Sequence, residues 1–248
     1  MRRAEGAVEP GEQGTAPRVG PCGVLCEDCR VRTISVCRAL AGPALDELEA
    51  ITLRIRLPAG RNLFDEGDPA ESLFTLTEGM IKLFKMLPDG RRQITGFLLP
   101  GDFLGLAYFR SYAYSAEAVT DALLCRFPRD RFMALLERHP ALEKELLSRA
   151  SSELAAAQEQ MLLLGRKSAR ERVASFLLGL ARRQGAGVTK PVALPMSRWD
   201  IADYLGLTVE TVSREIQAAK AAGVIAMPDR HHFLVVDPQR LAAAAALG

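Results

Sequence analysis

The cysteines of this chain are distributed very unevenly, and this distribution constrains both its chemistry and its organisation. Four of the five, Cys22, Cys26, Cys29 and Cys37, fall within sixteen residues, whereas Cys125 stands almost ninety residues later. Thiols crowded in this way form either a disulfide framework or a soft-metal site. Because the N-terminus lacks the apolar core of a secretory signal, we expect a reducing, cytoplasmic location. The pattern therefore predicts cysteine ligation of zinc or of an iron–sulfur cluster.

Length and charge set wider limits. A chain of 248 residues can form two modest domains, and its 48% hydrophobic and 25% charged content is typical of a globular protein. No apolar run approaches the eighteen residues of a membrane span, so we expect no membrane partner. The net charge of +2 hides a local basic excess, since residues 166–220 contain ten Lys or Arg and five Asp or Glu. This segment has either a polyanionic partner or simply a solvated charged face.

The N-terminal half divides into three segments. Residues 1–20 are rich in Gly, Pro, Glu and Arg without periodicity, which predicts a disordered lead-in. A cysteine-rich arm spans 21–43, and an amphipathic helix follows at its end. Within 44–138, short apolar runs alternate with turn glycines at positions 67, 79, 90 and 101. Short strands at such regular spacing predict an antiparallel barrel or jelly roll, since helices would be broken repeatedly by these glycines.

A long helix is predicted over 139–165, with Pro140 in its first turn. An apolar seam with alternating spacings of three and four residues runs along it: Leu147, Ala150, Leu154, Ala157, Met161 and Leu164. The helix could pack on its own domain. A seam of nearly three heptads that contains small alanines is more typical of a two-stranded coiled coil, so we predict a homodimer.

The C-terminal segment, 166–248, has the spacing of a helix-turn-helix followed by a β wing. Ser197 begins the first helix, Gly206 occupies the sharp turn, and a second helix follows. The residues predicted to cap this second helix or to face outward from it, and so to contact DNA, are Thr208, Glu210, Thr211, Ser213 and Arg214. Arg214 suits bidentate contact with guanine and Glu210 suits cytosine N4, which predicts double-stranded DNA as the partner.

Taken together, the glycine-turn roll, the linking helix and the sequence Leu-Gly-Leu-Thr-Val-Glu-Thr-Val-Ser-Arg resemble the CRP/FNR superfamily of bacterial transcription regulators. The N-terminal cysteines and Gln93-Ile-Thr-Gly-Phe97 resemble its oxygen-responsive FNR branch. The resemblance covers roughly residues 20–240. It implies an α+β chain with a cyclic-nucleotide-binding-like β-roll (jelly roll), a coiled-coil dimerisation helix and a winged helix-turn-helix.

The resemblance also implies a cofactor and its ligands. An oxygen-labile 4Fe–4S cluster would be held by Cys26, Cys29, Cys37 and Cys125, with Cys22 left outside the set. Taken alone, Cys125 could equally be a buried core thiol, and the same four thiolates could hold zinc in a redox regulator.

The implied function is an activator that dimerises under low oxygen, binds a TTGAT-like palindrome and contacts RNA polymerase. A cyclic nucleotide is not expected. The resemblance implies that members which bind one have a carboxylate and an Arg-Ser pair at the site, whereas this chain has Leu106 and the pair Ser115-Ala116 at those positions. An enzyme is not expected either, because none of the three histidines belongs to a recognisable nucleophile–base set.

Overall fold

The structure, a computed structural model, describes residues 26–106, 110–185 and 190–246. The predicted lead-in over 1–20 and Cys22 therefore lie outside the described residues. The N-terminal part contains a 3-10 helix (Val36–Ala39), α1 (Pro43–Ile51), β1 (Leu53–Leu57), β2 (Asn62–Phe64), β3 (Ser72–Glu78), β4 (Ile81–Met86), β5 (Arg92–Leu98), β6 (Phe103–Leu104), β7 (Ser115–Ala118), β8 (Ala122–Pro128) and α2 (Arg129–Arg138). The remainder contains α3 (Pro140–Arg166), α4 (Ala169–Arg183), β9 (Val192–Ala193), α5 (Arg198–Leu205), α6 (Val209–Ala221), β10 (Ile225–Ala226), β11 (His232–Val235) and α7 (Pro238–Ala246).

Two four-stranded antiparallel sheets form the predicted β-roll, one in the order β1-β8-β3-β6 and the other in the order β2-β7-β4-β5. Strands β3, β4, β5 and β8 are short apolar runs of the predicted kind, and all four predicted turn glycines have positive φ. At Gly79 the requirement is also steric, because a Cβ there would lie 2.3 Å from the carbonyl oxygen of Asp121. The α+β fold with a roll is confirmed.

The sheet that contains β8 is buried on both faces. Leu76 and Leu124 point into the roll, whereas Leu73, Cys125 and Phe127 belong to a second core on the outer face. This outer core is closed by side chains of α1 and α2, including Leu45, Leu48, Phe132 and Leu135. Because side chains alternate along a strand, the odd-numbered residues of β8 face the helices and the cysteine arm. Helix α2 was not predicted from the sequence, and it provides much of this cover.

The C-terminal part confirms the predicted winged helix-turn-helix. Helices α5 and α6 are capped by Ser197 and Thr208, and Gly206 between them is left-handed with φ of 61°. Strands β10 and β11 form the wing, and β9 pairs with β11 as a third strand that the sequence did not predict. Helix α7 was also not predicted, and it packs on α4.

A buried ion-pair cluster joins the roll to this C-terminal domain. The Nζ of Lys82, on β4, lies 2.9 Å from Asp200 Oδ1 and 2.9 Å from Glu117 Oε1. Arg92 reaches both Asp200 and Asp203 at 2.9 Å. Burial alone would raise the pKa of Asp200, but hydrogen bonds from Ser197 and Lys82 outweigh it, so the pKa is lowered. The first helix of the helix-turn-helix is therefore fixed to the roll through a carboxylate that also caps it.

We predict that Lys82→Met lowers the free energy of unfolding by about 3 kcal/mol, the lower end for breaking a buried ion pair, because Arg92 still pairs with Asp200. Chemical denaturation of the purified protein measures it. Lys85→Met on the same strand is the matched control, since the exposed pair with Glu66 should contribute less than about 1 kcal/mol. Equal losses in the two variants would contradict a dominant role for burial.

Candidate functional site

The cysteine arm, defined here as residues 26–42, is held in a compact series of turns. The amide of Arg32 donates to the carbonyl of Cys29 at 3.0 Å, and the amide of Ser35 donates to that of Val31 at 2.8 Å. The Ser35 hydroxyl then accepts from the amide of Cys37, which starts the 3-10 helix. A side chain from α1 holds the other end, since the amide of Cys26 donates to Glu49 Oε2 at 3.1 Å. These contacts hold the turns in which all three arm thiols lie.

The arm lies against the outer face of β8, so its thiols approach Cys125. Cys26 and Cys125 are buried in the same core, and Cys37 packs against that core. Burial raises the pKa of Cys125 to about 12, with the positive charge of Arg54 acting against it and the nearby thiols of Cys37, Cys26 and Cys29 adding to it. Burial also raises the pKa of Cys26 to about 12. The structure therefore places Cys26, Cys37 and Cys125 at one core, with Cys29 near enough to affect Cys125 electrostatically. None of the four predicted ligands is in a disulfide.

This donor set fits a thiolate-held cluster. Soft iron–sulfur groups take cysteine ligands, and four unpaired thiols from two separate segments are present. Zinc also accepts four cysteine thiolates, so the donor chemistry suits either group. Within the described ranges, no three His, Cys, Asp or Glu side chains are placed to hold one metal ion. The residues that would hold the group are Cys26, Cys29, Cys37 and Cys125.

The arm is also bonded to α3. Arg149 donates through Nη2 to the carbonyl of Ile34 at 2.7 Å and through Nη1 to that of Gly101 at 3.3 Å. Arg38 on the arm pairs with Glu145 at 2.9 Å, and Glu145 in turn orients Arg149 at 2.8 Å. A guanidinium with several acceptors fixes geometry well, because its donors form a rigid planar fork. The conformation of the arm is thus linked to the first half of α3.

The predicted dimer seam is mostly exposed on α3. Leu147, Leu154 and Met161 are 68%, 62% and 71% exposed, and Ala150 and Ala157 are exposed as well. Leu164 differs, because it is half-buried and packs against the core of the C-terminal domain. A contact within the chain therefore explains why Leu164 is apolar. The role of all six seam residues in a dimer interface stays a prediction.

The outward face of α6 displays the predicted DNA-contacting residues. Val212 and Ile216 are buried beneath the helix, while Glu210 and Arg214 are exposed one turn apart and Ser213 lies beside them, half-buried. The Thr208 hydroxyl accepts from the amide of Thr211 at 3.3 Å. Hydrogen bonds from its own backbone amide and from Thr208 lower the pKa of Glu210, which keeps it ionised as an acceptor.

Several site residues were not predicted. Glu145, Arg149 and Lys82 are not among the residues that the sequence predicted. The spacing of four between Glu145 and Arg149 is typical only of a helix-surface ion pair. The contacts of Arg149 with the arm and of Lys82 with α5 join residues far apart in the chain, so no short motif could have indicated them.

These features define a class: a sensor-type β-roll joined by a long helix to a winged helix-turn-helix that presents a polar recognition helix. Comparison with family models agrees, since residues 54–139 match the cyclic nucleotide-binding domain and residues 171–244 match the Crp-like helix-turn-helix domain. The chain belongs to the Crp/Fnr family of transcription regulators, and it is therefore a DNA-binding regulator and not an enzyme.

Similar proteins support the assignment over nearly the whole chain. The nitrogen fixation regulation protein FixK of Bradyrhizobium diazoefficiens is 43% identical over 230 residues, covering 92% of this chain and 97% of that protein. The transcriptional activator protein FnrL of Cereibacter sphaeroides is 40% identical, covering 87% and 90%. The solved structure of FixK2 from Bradyrhizobium japonicum has a TM-score of 0.75 at 36% identity, covering 80% of this chain and 99% of that one. In the described part of the chain, no helix has the length and apolarity of a membrane span.

We predict that Arg149→Met loosens the arm, because the hydrogen bonds of Arg149 to the carbonyls of Ile34 and Gly101 and its ion pair with Glu145 are lost. Hydrogen–deuterium exchange of metal-free protein should show roughly tenfold faster exchange over residues 26–42, equivalent to about 1.4 kcal/mol. Lys144→Met, an exposed position on the same helix, is the control and should leave the arm unchanged. Identical exchange in the two variants would show that Arg149 does not hold the arm.

Proposed function

We propose that this regulator responds to oxygen through a 4Fe–4S cluster bound by Cys26, Cys29, Cys37 and Cys125. The observation that carries the proposal is that the arm, which contains three free thiols, packs against the core that contains the free thiol of Cys125 on β8. When bound, such a cluster supplies an oxygen-labile centre. The similarity to the activator FnrL over most of the chain supports the same reading.

The contacts of the arm suggest how the signal reaches α3. With all four thiolates ligated, the arm is tied to β8 as well as to α3. Without that tie, residues 26–42 keep only their protein contacts, including those of Arg149 and of Glu49. Glu145 and Arg149 lie within one turn of the exposed Leu147. A change in the arm therefore alters the side chains beside the predicted interface.

A second copy of the chain is the proposed partner of α3. Two leucines and a methionine are exposed at heptad spacing on one helix face and form an apolar stripe, whose exposure to water is unfavourable. Pairing two such stripes buries both, and Ala150 and Ala157 allow the helices to approach closely. A dimer also places two α6 helices about one turn of DNA apart, which suits a palindromic site. RNA polymerase is the expected second protein partner of the DNA-bound dimer.

On DNA, we assign the recognition of guanine to Arg214 and the recognition of cytosine to Glu210. Both are exposed on the same face of α6, and Glu210 is ionised. A TTGAT-like half-site offers a G·C pair on which Arg214 can contact guanine N7 and O6 while Glu210 accepts from the paired cytosine N4.

A cyclic nucleotide is not part of the proposal. The inside of the roll is occupied by aromatic rings: Phe64 and Tyr112 stack with centroids 3.7 Å apart, and Phe74 lies beside them. The Tyr112 hydroxyl donates to the carbonyl of Ser72 at 2.8 Å, which fixes the ring. Ser115 accepts from the amide of Glu66, and Ala116 is fully buried, so this pair offers no guanidinium to a phosphate.

Anaerobically purified protein should contain about four iron and four sulfide per chain, with a brown absorbance that bleaches in air. Sedimentation should show less dimer after bleaching, and DNA affinity should fall with it. Cys125→Ala should lose the iron, whereas Cys22→Ala is the matched control and should keep it. A colourless protein with about one zinc per chain would overturn the cluster and support the zinc regulator instead.

Arg214→Ala should lose most of the discrimination at one base pair. The native protein should prefer TTGAT over TTAAT half-sites by about 1–3 kcal/mol for the bidentate guanine contact, and the variant should keep only the smaller preference that Glu210 contributes through the paired cytosine. Fluorescence anisotropy at one fixed salt concentration measures both affinities. Lys220→Ala, exposed near the far end of α6, is the control and should retain the preference. An undiminished preference in Arg214→Ala would assign the guanine contact to another residue.

A further inference from the structure

Cys125 lies between two polar side chains in adjacent strands. In the β1–β8 pair it is directly opposite Arg54, and in the β3–β8 pair it is directly opposite Thr75. Residues directly opposite in antiparallel strands point to the same face, with Cβ atoms about 4.5–5.5 Å apart. Arg54, Cys125 and Thr75 therefore form a row on the outer face of the sheet, beneath the cysteine arm.

Thr75 presents an unmet hydrogen-bonding requirement. Its side chain is only 1% exposed, and its hydroxyl oxygen is a buried polar atom without a hydrogen-bond partner. Burying a hydroxyl without a hydrogen-bond partner is unfavourable, so such groups usually have a partner or a functional reason. Cys125 is the residue directly across the strand pair, and its sulfur would accept a hydrogen bond far better as a metal-bound thiolate than as a thiol.

Arg54 connects the strand cysteine to the arm. Burial dominates the raised pKa of Cys26, but a hydrogen bond and the positive charge from Arg54 act against it, and the same charge acts against burial at Cys125. Arg54 itself is half-buried. Four thiolates and a cluster would place net negative charge in this core, and buried charge needs a compensating partner.

We propose that Arg54 and Thr75 are positioning residues of the cluster site. The guanidinium of Arg54 offsets the negative charge and donates to the sulfur of Cys26, and the hydroxyl of Thr75 donates to the sulfur of Cys125. This inference rests on the proposed function. Its consequence is that hydrogen bonds to the sulfurs tune both how firmly the group is held and how it reacts, as outer partners do at other metal sites.

The test compares anaerobically loaded native protein with Arg54→Met and Arg54→Lys. Iron transfer to a chelator should be roughly tenfold faster in Arg54→Met, the low end for outer partners of metal ligands, and Arg54→Lys should restore part of the retention because it keeps the charge. Arg56→Met is the control, since Arg56 lies on the same strand two residues further on, is exposed, and stands opposite Leu123.

Thr75→Val provides a readout that a structural role would not change. Removing an O–H···S hydrogen bond should shift the Fe–S(Cys) stretching bands in the resonance Raman spectrum, at unchanged iron content. Thr77→Val is its control, because the Thr77 hydroxyl already donates to the carbonyl of Leu123 at 2.9 Å, so this variant should leave the bands unmoved.

The outcomes separate the two proposals. A cluster in the native protein, together with faster iron loss and shifted bands in the variants, supports the inference. A cluster whose iron retention and spectrum are the same in native protein, Arg54→Met and Thr75→Val overturns the inference and leaves the proposed function standing. Native protein that binds no iron and sulfide overturns both.

Discussion

The arrangement of the roll and the C-terminal domain depends on the ion pairs of the buried Lys82 ammonium. This ammonium lies between Asp200 of α5 and Glu117 of β7, with Arg92 completing the charge balance. A charge removed from water is tolerated only where its partners are correctly placed, so this cluster favours one orientation of the domains. Apolar contacts around it, such as Phe97 with Phe176 and Tyr204, would permit sliding, whereas the ion pairs do not.

The opposite side of the roll has a different requirement. The sheet β1-β8-β3-β6 carries apolar side chains on both faces, so its outer face must be covered. Helices α1 and α2 cover most of it, and the cysteine arm covers the part around Cys125. The arm is therefore part of a core. Its hydrogen bond with Arg149 links that core to the part of α3 beside the exposed seam. One segment thus connects the cysteine site, the sheet and the predicted interface.

Much of the site was predictable because it depends on local chemistry. The capping serine and threonine and the left-handed Gly206 follow from short-range spacing, and the structure confirms them. Elements without such a signal were missed. Strands β6 and β9 have two residues each, too few to show alternation, and exist only because a neighbouring strand pairs with them. Helix α2 follows directly after β8, so no turn signal separated it from the roll.

The sequence by itself determined the main segments and the chemistry that each can carry: a thiol-rich arm, a roll with regularly spaced turn glycines, a long helix with an apolar seam and a helix-turn-helix suited to DNA. Each of these depends on residues close together in the chain, where periodicity and capping act. Only the tertiary structure decided which of them meet. The pair Lys82–Asp200 is separated by 118 positions, and the row Arg54–Cys125–Thr75 exists only through strand register. Such pairings are set by packing and register between distant segments, which no local pattern specifies.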